Sequence, residues 1–130
     1  MAREATIMGS QPEWWPYRNQ LLITLAAAWA ISHDCADILV GTVAGDGDRH
    51  ADGTAAFYSA MTKVLESQEG QIRVSAPAIE FDTPALIKTS GVDEATLGWT
   101  HSCHVDDIPC GACPGCIKRA EVLAQVDMLQ

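Results

Sequence analysis

Positive charge is the scarcest resource in this chain. Eight Lys and Arg stand against seventeen Asp and Glu, a net charge of -9, so the molecule as a whole repels phosphate backbones and acidic membrane surfaces and has no direct nucleic-acid role by charge steering. There is also no long apolar run. Leu21 to Ile31 is interrupted by Thr24 and falls well short of the roughly 18 residues that a membrane span needs. Met1 to Pro16 lacks the basic start and apolar core of a secretory signal, which leaves the cytoplasm as the expected compartment. Internal repeats, linkers and low-complexity segments are missing too, and the 130 residues are 48% hydrophobic. Such a chain should fold as one domain, 1–130.

What the chain does have is an uneven set of five cysteines. Four of them, Cys103, Cys110, Cys113 and Cys116, crowd into one segment, and Cys35 stands far away. A disulfide framework would spread an even number through the chain, so a tight cluster reads as a metal site in a reducing compartment. Two interlocked Cys-x-x-Cys steps, with Gly111 and Gly115 between them, can turn three thiolates toward one ion while Cys103 returns as the fourth. Four sulfur ligands close a tetrahedral zinc site and give it a structural role. An iron–sulfur cluster is the chief rival, because Cys-x-x-Cys-x-x-Cys also serves ferredoxins, and spacing does not separate the two. His101 and His104 flank Cys103 as substitute ligands. Cys35 reads as a small buried hydrophobe.

The remaining pattern is that of an α/β domain. Pro12-Glu-Trp-Trp-Pro16 should hold the chain extended until a helix begins at Tyr17 or Arg18. Leu21, Leu22, Leu25, Ala28, Trp29 and Ser32 then recur at three- and four-residue steps, predicting a buried helix over 17–33 with Trp29 in the core. Ile38-Leu39-Val40 reads as a buried strand ending at Gly41, which suggests a parallel sheet with functional groups at the strand's carboxyl end. The loop 41–53 carries four Gly and three Asp and no hydrophobic period, and so is a candidate site. A helix over 55–66 on Phe57, Met61, Val64 and Leu65, a strand over 72–77, a short helix capped by Thr83 and stopping near Gly91, and a closing helix over 118–128 with Ala120, Leu123, Ala124 and Met128 on one face complete the expectation.

In this order, Pro16-x-Arg18-Asn19, an Ala-rich helix, Ile-Leu-Val-Gly41, Asp46, Asp52, Phe57, Pro77 and Ser-Cys103-x6-Cys110-Gly-x-Cys113-x-x-Cys116-x-x-Arg119 resemble the C-terminal half of the 7-cyano-7-deazaguanine synthases over residues 16–123. The resemblance implies a Rossmann-like fold of the ATP-pyrophosphatase type with a partial parallel sheet and a C-terminal four-cysteine zinc segment. It also implies an ATP-dependent ligase of queuosine biosynthesis that turns a 7-carboxy-7-deazapurine and ammonia into a nitrile. Carried over residue by residue, Arg18 and Asn19 would face nucleotide or a partner chain, Gly41 would let backbone approach the ligand, and Asp46 and Asp52 would contact the base or Mg²⁺.

Three departures accompany the match. Nothing here corresponds to the Ser-Gly-Gly-x-Asp-Ser loop with which the family cradles the ATP pyrophosphate. Ala44, His50-Ala51-Asp52 and Thr54 stand where the family usually has Glu, Tyr-Pro-Asp and Arg. Asp82-Thr83-Pro84 replaces a pair that usually contains Lys. These departures suggest a split subunit whose phosphate loop lies on another polypeptide, or a homo-oligomer. The competing expectation is a silent zinc-stabilised binding module, with Trp14, Trp15 and the hydrophobic helix as its interface. A third is a related ligase with another small-molecule substrate. Without the resemblance, Arg18-Asn19 is a plain helix start and Asp46 and Asp52 belong to an acidic turn.

Overall fold

A computed structural model describes residues 16–126 of the chain. Trp14, Trp15 and Met128, named above, and the N-terminal extension expected over 1–15 lie outside the described residues. The chain divides into two compact units, 1–80 and 81–130.

The first unit is built on a two-stranded parallel sheet. Helix α1 (Arg18–Ile31) leads into β1 (Asp37–Leu39), a helical turn α2 (Asp46–Arg49) and a 3-10 turn at Ala51–Gly53 follow, and α3 (Ala55–Glu66) returns the chain to β2 (Arg73–Ser75). β1 and β2 pair in register, Asp37 opposite Arg73 and Leu39 opposite Ser75. Ile23, Ala27 and Ala30 of α1 meet Tyr58, Met61 and Leu65 of α3 over Ile72 and Val74, with Ile38 and Val40 at the margin. Both helices therefore cover the same face of the sheet. Thr54 caps α3 by accepting from the amide of Phe57, and Thr62 ties α3 to β2 by exchanging hydrogen bonds with both the amide and the carbonyl of Val74.

Several expectations need correction here. α1 is not buried all round: Ile23, Ala27 and Ala30 are covered, whereas Leu21, Leu22, Leu25 and Trp29 are exposed, Leu25 and Trp29 at 60% and 59%. Trp29 instead stacks on His33 at 3.6 Å between ring centroids. β1 is not a buried strand either, since Leu39 is 71% exposed. Cys35 is exposed, its thiol donating to the carbonyl of His33. The loop 41–53 carries two short helical turns, stapled by close packing: a side chain at Gly53 would press on the carbonyl of Asp46, 3.1 Å from where its Cβ would stand. On α3 the covered positions are Tyr58, Met61 and Leu65, while Val64 faces outward. β2 is three residues long, shorter than the alternation over 72–77 suggested.

The second unit holds α4 (Thr83–Ser90), α5 (Glu94–Gly98) and α6 (Pro114–Gln125). Asp82, not Thr83, caps α4, accepting from the amide of Ala85 at 2.7 Å, and Gly91 ends it in the left-handed conformation. α5 had no counterpart in the sequence reading; Asp93 caps it by accepting from Thr96, and these hydrogen bonds hold the Asp93 carboxyl below its usual range. α6 begins four residues earlier than expected, and on it Leu123 is buried whereas Ala120 and Ala124 are exposed. Leu97, Leu123 and Val126 form the small core, flanked by Ile87 and Val92. Among the described residues no helix is long and apolar enough to cross a membrane.

Candidate metal centre and ligand cleft

The four clustered cysteines are brought together by the start of α6. Cys113 is its N-cap, its sulfur accepting from the amide of Cys116, and Pro114 occupies the first turn, where a missing amide costs nothing. That cap aims Cys113 and Cys116 inward, and both are buried, while Cys103 is half-buried and Cys110 exposed. Gly115 makes the close approach possible: a Cβ there would collide with the carbonyl oxygen of Ser102 and stand 2.8 Å from the His104 ring. The segment bearing Cys103 can lie against α6 only because this position has no side chain.

All four Sγ atoms lie within 4.8 Å of one another, with Cys103 to Cys113 at 3.9 Å and Cys110 to Cys116 at 4.0 Å. Four thiolates about 2.3 Å from a central ion define a tetrahedron with edges of about 3.8 Å, so the sulfurs fit one tetrahedral ion. A cluster of several irons distributes its thiolates over different metal atoms, and this compact set favours the single ion. Backbone amides supply the outer support: His104 and Cys116 donate to the Cys113 sulfur and Cys113 donates to the Cys110 sulfur, each at 3.4 Å. Amides of Cys110 and Val105 hold the Cys103 thiol down at about 6, whereas burial pushes Cys116 up to about 11. His101 and His104 stand outside the sulfur set, and His104 contributes its amide to it. Arg119, part of the motif, donates to the carbonyl of Leu97 at 2.8 Å and so fastens α6 to the end of α5.

The second candidate site is a cleft of about 360 Å³ in the first unit, beyond the carboxyl end of β1. Arg18, Asn19, Gly41 and Asp46 all line it, joined by Leu22, Thr42, His50 and Tyr58. Nothing stands within 4 Å of where a Gly41 Cβ would be, so the backbone there is open to the cleft. Asp52 is placed differently: its carboxylate is not part of this wall, and its main-chain carbonyl accepts from the Asn19 side chain at 3.0 Å. The residue instead borders a neighbouring cleft with Tyr17, Gln20 and Arg49. One oxygen of Asp46 accepts from the Thr42 hydroxyl at 3.1 Å and from the Val43 amide at 3.0 Å. That arrangement holds the carboxylate in place at the cleft wall.

Sequence reasoning missed Thr42, His50 and Tyr58. Tyr58 is buried at the cleft wall, and desolvation raises its phenol above the ordinary value against a hydrogen bond with Thr42 that lowers it. The signal was present in the 58, 61, 65 spacing, but the neighbouring Phe57 drew the reading one residue off.

A small parallel α/β unit with a polar cleft at a strand's carboxyl end, together with four cysteines spaced to hold one metal ion, defines an α/β protein with a candidate metal centre. The model of the family described as queuosine biosynthesis protein QueC matches residues 2–127, and the chain belongs to that family. It is 27% identical to the 7-cyano-7-deazaguanine synthase of Methanosarcina barkeri over 119 residues, 90% of this chain and 52% of that protein. It is 31% identical over 115 residues to the synthase of Pyrococcus horikoshii, 82% and 48% of the two chains. With the synthase of Methanocaldococcus jannaschii the identity is 29% over 126 residues, 88% and 54%. The chain spans about half the length of the curated relatives it matches.

Proposed function

We propose that this chain supplies half of a 7-cyano-7-deazaguanine synthase-like ligase, which uses ATP and Mg²⁺ to convert a 7-deazapurine carboxylate into a nitrile. This reading takes the phosphate loop from the part of the relatives' length that the chain does not span, in a cytoplasmic enzyme. The observation that carries this reading is the convergence of Arg18, Asn19, Gly41 and Asp46 on one cleft at the end of β1, the place where open α/β sheets bind their ligands. Arg18 is the one cation of α1 and suits a phosphate or carboxylate. Asn19 positions the 51–53 turn, and the Asp46 carboxylate at the cleft wall is the group to accept from a base or to meet Mg²⁺. Asp52 contributes its backbone carbonyl to this arrangement, accepting from Asn19, and its carboxylate adds to burial in raising the Tyr58 phenol at the cleft wall.

The cysteine centre holds Zn²⁺ in a structural role. Four thiolates at tetrahedral spacing leave no open position for water or substrate, so the metal's chemistry here is to tie α6 to the Cys103 segment.

A second reading is a binding module that retains the fold without the chemistry. Asp46 favours it, because half of its carboxylate is committed to Thr42 and Val43. The two readings separate in a reconstitution assay. The chain is combined with the part of the Methanosarcina barkeri synthase that lies outside their aligned stretch, and given ATP, Mg²⁺, ammonia and 7-carboxy-7-deazaguanine. Nitrile appearing by mass spectrometry supports the ligase half; a mixture that neither binds nor hydrolyses ATP supports the module.

A further inference from the structure

The second unit has a cleft of its own, about 650 Å³, lined by residues of α4, α5, the Cys103 segment and α6. Part of its lining is apolar: Ile87 and Val122 join Leu97 and Leu123 of the small core. The charged part carries one sign only. Lys118 and Arg119 line the cleft, and among the described residues no Asp or Glu does, in a chain where acids outnumber Lys and Arg by seventeen to eight. A concave apolar wall with a few fixed polar groups is the usual build of a small-molecule site.

Neither cation is spent elsewhere. Lys118 makes no ion pair or hydrogen bond with a described residue, and Glu121, one turn further along α6, does not reach it. Arg119 is half-buried and donates to the carbonyl of Leu97 at 2.8 Å. A guanidinium carries a fork of several N–H donors, and this bond uses one of them. The cysteine sulfurs beside the cleft draw their hydrogen bonds from the amides of His104, Cys113 and Cys116, and none from Lys118 or Arg119. Two like charges side by side on one wall, with no acid between them, repel each other, and a bound anion relieves that cost.

We propose that this cleft binds a phosphate monoester carried on a flat apolar body, the phosphate on Lys118 and Arg119 and the body against Val122 and Leu123. Two cations without a carboxylate suit a dianion, and a phosphate monoester carries about −1.5 to −2 charge near neutral pH. A carboxylate would leave one cation uncompensated, and inorganic phosphate would leave the apolar wall uncovered. The hydroxyls of Thr83 and Ser102 also line the cleft and can donate to phosphate oxygens. The site is separate from the Arg18 cleft and goes beyond the functional reading above, which can fail without it.

The test titrates the full zinc-loaded chain with naphthyl phosphate at about pH 8, above the second phosphate ionisation, and reads backbone amide shifts by NMR. Naphthoate, naphthol and inorganic phosphate serve as comparisons. Naphthyl phosphate is expected to shift the amides of Ser102, Lys118 and Val122, and to bind at least about tenfold more tightly than any of the three. Lys118→Gln should weaken it about fivefold or more. Lys118→Arg, which keeps the charge, should restore it, and Lys63→Gln, which removes an exposed cation of α3, should leave it unchanged. Lys118 is exposed, so its variants should fold and keep their zinc, which circular dichroism and metal analysis check. The proposal is overturned if the shifts are absent or map to Arg18 and His50 instead. It is equally overturned if naphthoate, naphthol or inorganic phosphate binds as tightly as the ester, or if Lys118→Gln binds as tightly as the parent.

Discussion

The side-chain amide of Asn19 donates to the main-chain carbonyl of Asp52 at 3.0 Å, across 33 residues of sequence. This bond fastens the start of α1 to the 51–53 turn and so fixes two walls of the cleft against each other. Its donor is held from the other side, since the Arg18 guanidinium approaches the Asn19 oxygen at 3.4 Å. Asn19→Ala should lower the stability of the chain by about 1 kcal/mol, the net worth of one such bond. Urea unfolding measures the loss, and amide exchange should quicken at His50 and Gly53. An unchanged midpoint and unchanged exchange would show that the turn holds without Asn19.

Cys113 serves twice, as a ligand of the proposed ion and as the cap of α6. Cys113→Ser keeps a capping oxygen but removes a thiolate, so metal content by plasma mass spectrometry should fall from one zinc per chain to well below that, with a lower melting temperature. Chelation of the parent should produce the same loss, because binding free energy at a structural site is folding free energy. A variant retaining one tightly held zinc would contradict the four-thiolate centre.

Gly115→Ala places a methyl group against the Ser102 carbonyl oxygen and the His104 ring. Backbone cannot yield as a flexible side chain does, and overpacking of this kind costs about 1 to 3 kcal/mol. Thermal unfolding of the zinc-loaded variant should show that loss, together with faster zinc release to a chromophoric chelator. Equal release rates would mean that the Cys103 segment does not need this contact.

Tyr58 has a phenol raised above the usual value by burial at the cleft wall. A group whose folded value is raised stabilises the fold fully below its unfolded value, near 10, and loses that contribution as pH climbs through the folded one. The chain has two tyrosines, so absorbance near 295 nm isolates this one. The ionisation missing from Tyr58→Phe should lie above pH 10, and the parent should lose more stability than the variant between pH 9 and 11. An ionisation at or below pH 10 would mean that Tyr58 is solvated.

The parts legible in the sequence are those with a local cause. The bounds of α3 were legible because its apolar positions repeat at helical spacing, and the four cysteines were legible because ligand spacing is itself the signal. α1 was located correctly but its burial was not, since a helix apolar on two faces looks the same whether one side or both are covered. The early start of α6 was hidden inside the metal motif, where Cys113 and Pro114 also serve as cap and first turn. α5 is a single turn with no period to detect. Asp52 shows a further limit: the sequence suggests a side-chain carboxylate and gives no sign that the Asp52 carbonyl accepts from Asn19, 33 residues away.

The most direct test of the central claim is the affinity of the reconstituted, zinc-loaded complex for ATP with Mg²⁺, compared between the parent and Arg18→Ala by titration calorimetry. Losing one charge-assisted hydrogen bond of about 1.5 kcal/mol should weaken binding roughly tenfold. Binding that is equally tight without the Arg18 guanidinium, or absent from the parent complex, would contradict a nucleotide site at the end of β1.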